Sequence, residues 1–167
     1  MYILKSNYFD DIAPLIVGVS FLCVLPTLAY PAQHLLPHFK ESGRQGQRTL
    51  AIIFSVVGYI VCCLFAIFEP FSNEVLIYFL TYLISGIFLL VCSLFHLKPS
   101  GHACGVIGPV AFLSIFVSPW FLVGLLAFVL TLWSSLKLKR HTVGEFLLGA
   151  TIPIVAMLLS SWIVLGF

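Results

Sequence analysis

The chain has 167 residues, of which 61% are hydrophobic, 15% aromatic and only 8% charged, with a mean hydropathy of +1.15. So much apolar surface cannot be buried inside a soluble domain by so few polar groups, so residues 1–167 read as one integral membrane domain embedded in the lipid bilayer. A formal net charge of +2 is too small for a nucleic-acid surface and excludes that class of partner.

Lipid offers no water to backbone groups, and the apolar runs lack the alternation of a barrel strand, so helices are the expected spanning elements. Six are expected, in one all-α transmembrane bundle. The first runs from about Ile12 to Tyr30, with Pro26 kinking its far end. It follows Asp10-Asp11 rather than a basic start, which reads as a retained helix and not a cleaved signal. The segment from Pro31 to Thr49 is a polar connection holding Lys40, Arg44 and Arg48. Helix 2 is expected from Leu50 to Phe68, a Pro- and Asn-punctuated turn from Glu69 to Glu74, and helix 3 from Val75 to Phe95. A polar break, Lys98-Pro99-Ser100-Gly101-His102, precedes helix 4, which runs to about Val117. Helix 5 follows from Pro119 to Leu136, and a basic cluster, Lys137 to His141, leads into helix 6 from Thr142 onward.

The five cysteines, Cys23, Cys62, Cys63, Cys92 and Cys104, fall in apolar runs without paired metal-ligand spacing, so they read as structural thiols, and no metal or cofactor is expected. Gly101, Gly105 and Gly108, at helical spacing, read as close-packing positions.

Helix length orders the polar residues in space. At 1.5 Å per residue the chain descends about 24 Å from His102 to Ser118 and climbs about 26 Å from Pro119 to Leu136, which returns His141 to the face that carries His102. Connections 1–2, 3–4 and 5–6 then share one side and hold seven of the eight Lys and Arg residues, Lys5 being the exception.

That face supplies the parts of a phosphoryl-transfer site. Ser100 and Gly101 open a helix, where unpaired N–H groups and the positive dipole end attract an anion. His102 and His141 exchange protons near neutral pH, and Glu145, four residues past His141, shares its helix face and is placed to fix the imidazole tautomer. Lys40, Arg44, Arg48 and Arg140 are candidates to neutralise phosphate oxygens.

Pro99-Ser100-Gly101-His102 resembles the second signature of the type 2 phosphatidic acid phosphatase superfamily, whose pattern is KxxxxxxRP, PSGH, then SRxxxxxHxxxD. The third signature is similar to Ser134-Ser135-Leu136-Lys137-Leu138-Lys139-Arg140-His141-Thr142-Val143-Gly144-Glu145. The resemblance implies a metal-independent membrane hydrolase in which His141 is the nucleophile that forms a phosphohistidine. His102 would be the general acid, Ser100 and Gly101 would bind phosphate, and Glu145 would replace the usual aspartate. Ser135 stands where the pattern has arginine, and seven residues separate Lys40 from Arg48, with Thr49 in place of proline. The expected substrate is a lipid phosphate or diphosphate, an isoprenoid diphosphate before phosphatidic acid, because the short loops offer little to a bulky head group. The alternative is an inactive lipid-phosphate binder on the same scaffold, as Ser135 would suit.

Overall fold

A computed structural model describes residues 12–69 and 71–166, so Lys5, Asp10 and Asp11 lie outside the described residues. Among the described residues every regular element is helical. Helix α1, Ile12–Thr27, bends by 41° into α2, Ala29–Leu35, and its middle, Val19–Val24, is wound as a π-turn. The π-turn is where α1 crosses the next long helix: a Cβ on Gly58 would collide with the Phe21 carbonyl, so only glycine allows that approach.

The polar connection expected from Pro31 to Thr49 is instead mostly helical. Short α3, Pro37–Glu41, is followed by α4, Gly43–Phe68, which begins seven residues before the expected Leu50. The buried Gln33 amide donates to the carbonyls of Phe39 at 3.0 Å and Gly43 at 2.7 Å. It thereby ties α2 to α3 and to the start of α4 across the corner. Gly43, at φ +55°, makes the turn itself. The consequence for the site is that Arg44 and Arg48 lie one turn apart on one face of a helix rather than in a loop.

Helix α5 spans Asn73–Leu94 and is capped by Ser72, whose hydroxyl accepts the Val75 N–H. Helix α6 is Gly101–Phe116. Helix α7, Pro119–Lys137, opens with a 3-10 stretch over Pro119–Gly124, and α8 is Val143–Leu165. Cys62, Cys63, Ala66, Val75 and Phe79 join α4 to α5. Ala103 and Ile107 of α6 interlock with Phe146 and Ala150 of α8, and Ile77, Phe112 and Met157 tie α5, α6 and α8 together. The five cysteines are free thiols, three of them buried.

Four helices, α4, α5, α7 and α8, are long and apolar enough to cross a membrane, and the bent α1–α2 pair makes up to five. The remaining expected span, the fourth in chain order, is α6, which has 16 residues and is therefore about 24 Å long, short of the roughly 30 Å hydrocarbon core.

Candidate phosphate site

Two turns of similar design build the centre. Helix α5 ends where His96, at φ +59°, takes the left-handed position. The N–H groups of His96 and Leu97 return to the carbonyls of Ser93 at 3.1 Å and Cys92 at 2.9 Å. Helix α7 ends in the same way at Lys139, φ +51°. There the N–H groups of Lys139 and Arg140 return to Leu136 and Ser135, both at 3.0 Å. Both are Schellman stops with a non-glycine residue where glycine is cheapest. His96→Gly and Lys139→Gly are each expected to stabilise the protein by about 0.5–1 kcal/mol, read as a higher unfolding midpoint in detergent; a lower midpoint would contradict the strain.

Each stop is followed at once by a hydroxyl cap. Ser100 is fully buried, and its hydroxyl accepts the Ala103 N–H at 3.3 Å at the start of α6. Thr142 and Glu145 form a capping box on α8: the Thr142 hydroxyl accepts the Glu145 N–H at 3.2 Å, and Glu145 Oε2 accepts the Thr142 N–H at 3.0 Å. The two caps are then fastened together, because the Ser100 N–H donates to the Glu145 carbonyl at 2.9 Å. Gly149, one turn further along α8, lies so close beneath Ser100 that a Cβ there would overlap its backbone. Two helix N-termini, each the positive end of a dipole, therefore adjoin.

Around this pair the side chains fall into place unequally. His141 Nδ1 is 3.4 Å from Glu145 Oε2, with His141 16% and Glu145 30% exposed. Nδ1 is sealed from solvent without a well-aligned hydrogen bond, so Nε2 is the nitrogen left for chemistry. The Glu145 carboxylate thus serves the cap and faces the imidazole with one oxygen. Arg48 is half-buried and reaches from α4 to donate through Nη2 to the Pro99 carbonyl at 3.4 Å. This contact, with the Ser100–Glu145 bond, brings the three polar connections to one place.

His102 and Gly101 are exposed at the first turn of α6, where the helix cannot satisfy their own N–H groups. A Cβ on Gly101 would meet nothing within 4 Å. The Ser100 hydroxyl, buried beneath this turn, caps α6, which holds the N–H groups of the next residues in position. Lys40, Arg44 and Arg140 are exposed, and the structure does not join their side chains to the centre. Ser135, in the position where arginine would be expected, is 4% exposed and inside the bundle.

Thr142, Gly149 and the left-handed residues His96 and Lys139 were not singled out by sequence reasoning. The Thr-x-x-Glu spacing of a capping box was there to be read. Gly149 carried no local signal, because its role depends on a neighbour almost fifty residues away.

Comparisons of the chain with protein-family models, with curated proteins and with solved structures find no match.

Proposed function

We propose that the chain is an integral-membrane phosphatase acting on a lipid phosphate or diphosphate, as its resemblance to the type 2 phosphatidic acid phosphatases implies. The observation that carries this reading is the 2.9 Å bond from the Ser100 N–H to the Glu145 carbonyl, which couples the turn bearing His102 to the turn bearing His141. An anion at the paired helix ends would lie beside Arg48 with both histidines on its border.

In this reading His141 Nε2 uses its lone pair to form a bond to phosphorus while the bond from phosphorus to the lipid oxygen breaks. His102 gives its proton to that oxygen, and water then cleaves the phosphohistidine, releasing inorganic phosphate. Glu145 supports the positive charge on the imidazole during attack. The bundle spans the membrane six times, with α6 as the one short span. The excess of Lys and Arg puts the site on the cytoplasmic side of what we take to be the cell membrane. The short connections favour the isoprenoid diphosphate expected from sequence, with a glycerolipid phosphate as the next candidate.

Purified protein in detergent is expected to release inorganic phosphate from at least one prenyl diphosphate or glycerolipid phosphate with a metal chelator present. Absence of release across both classes would overturn the catalytic reading. The second reading, an inactive lipid-phosphate binder, is favoured by buried Ser135, and lipid binding without any turnover would select it.

A further inference from the structure

The two flanks of the bundle that face lipid differ in height. On one flank, the apolar stretches of α4 (residues 50–68) and α5 (residues 75–94) are about 28 and 30 Å long, which matches the roughly 30 Å hydrocarbon core. On the other flank α6, with its 16 residues, is about 24 Å long. Helix α7 lies outside α6, and tryptophans mark its ends: Trp120 is 87% and Trp133 61% exposed. The Lys137 ammonium sits over the Trp133 ring at 4.7 Å. Exposed indoles settle between head groups and hydrocarbon, and a lysine beside one carries its charge toward water. With 2.0 Å per residue through the 3-10 stretch and 1.5 Å beyond it, the two tryptophans are about 22 Å apart along α7.

Contacts between the helices show at which end the flanks part. The Phe112 ring of α6 meets the Tyr78 ring of α5 at 4.7 Å, so Phe116, at the foot of α6, is level with the start of α5. From that contact α5 climbs about 24 Å to Leu94, whereas α6 climbs only about 17 Å to Gly101. A second contact repeats the step: Ser85 lies against Cys104, and from there Leu94 is about 14 Å and Gly101 about 5 Å higher. Helix α7 shares the lower level. Gly124 approaches Val110 so closely that a Cβ would overlap the valine side chain, and Trp133 and Gly101 are each about 14 Å above that contact. The apolar edge therefore drops by about 7–9 Å from the α5 flank to the α6–α7 flank, on the side of the candidate site.

We propose that the protein holds an uneven lipid shell: short-chain phospholipid along α6 and α7, ordinary bilayer along α4 and α5, with the leaflet drawn down at Gly101 and His102. An undeformed leaflet would place these exposed residues and their unpaired N–H groups in hydrocarbon, at several kcal/mol for each unsatisfied group. Thinning a bilayer costs only fractions of a kcal/mol per Å, so the lipid yields. The proposal rests on the six-span reading and not on the chemistry of the site.

Tryptophan quenching by brominated phosphatidylcholines in vesicles tests it, with dimyristoleoyl and dioleoyl chains in competition. Trp162→Phe leaves Trp120 and Trp133 as reporters of the α7 flank. For the other flank the reporter is Leu94→Trp, at a position 71% exposed, in a chain whose three native tryptophans are changed to phenylalanine. The α7 reporters are expected to favour the dimyristoleoyl lipid by about threefold, and the Leu94→Trp reporter to show no preference or the opposite one. Equal binding or a dioleoyl preference at α7 overturns the proposal, as does the same short-chain preference at both flanks. Absence of quenching at α7 also overturns it, because a second copy of the chain would then cover that helix. The α7 measurement alters only Trp162, itself 61% exposed, so it decides the matter even where the fourfold variant fails to fold. Phosphate release plays no part in the readout: an inactive protein with the uneven shell sinks the phosphatase reading alone, and an active protein with an even shell sinks this one alone.

Discussion

His141→Ala is expected to lower phosphate release by about a thousandfold or more, with lipid binding largely kept. His141 is the residue whose Nδ1 faces Glu145 Oε2 at 3.4 Å, so its loss removes the proposed nucleophile without touching the bond from Ser100 to the Glu145 carbonyl. Glu145→Gln separates two roles. Glutamine still offers an oxygen to the Thr142 N–H, which now donates to Glu145 Oε2 at 3.0 Å, so the cap of α8 is kept. It has no charge to support the imidazolium, so turnover should fall by about 10²-fold while the melting temperature hardly moves. Thr142→Ala should do the reverse, costing about 1 kcal/mol of stability through loss of the cap with a smaller effect on rate. Equal rates for His141→Ala and the unaltered protein would rule out His141 as the nucleophile.

The parts of this architecture that depend on local pattern were legible in the chain. Apolar runs of helical length mark α4, α5, α7 and α8, and arithmetic on helix rise places His102 and His141 on one face, as the Ser100–Glu145 bond requires. The segment from Pro31 to Thr49 was not legible as helix. Its prolines and glycines read as a connection, whereas the Gln33 amide, by pairing with two carbonyls at the corner, lets short helices meet there. Glycines misled in the other direction. Gly101 and Gly105 have the spacing of a packing motif yet face open space, whereas Gly149, in no recognisable motif, makes the closest approach to the candidate site. Sequence spacing says which residues share a helix face; it does not say what stands opposite that face.

Gly149→Val is therefore expected to be the most damaging substitution outside the histidines. The Cβ it introduces would collide with the backbone of Ser100, and backbone, unlike a flexible side chain, cannot turn aside. Either α8 moves away from α6, breaking the Ser100–Glu145 hydrogen bond, or the turn holding Ser100 deforms and Gly101 and His102 lose their alignment. Overpacking of this kind costs about 3 kcal/mol, and turnover should fall by at least about 10²-fold, because a misplacement of about 1 Å is enough to do that. Gly149→Ala adds the same Cβ and should show most of the effect. Gly144→Ala, in the first turn of the same helix, meets nothing within 4 Å, and its melting temperature should be unchanged or slightly higher, since alanine is the better helix former. A Gly149→Val protein with an unaltered midpoint and unaltered turnover would show that the two helix N-termini need not touch. The coupling on which the phosphate site is argued would then be lost.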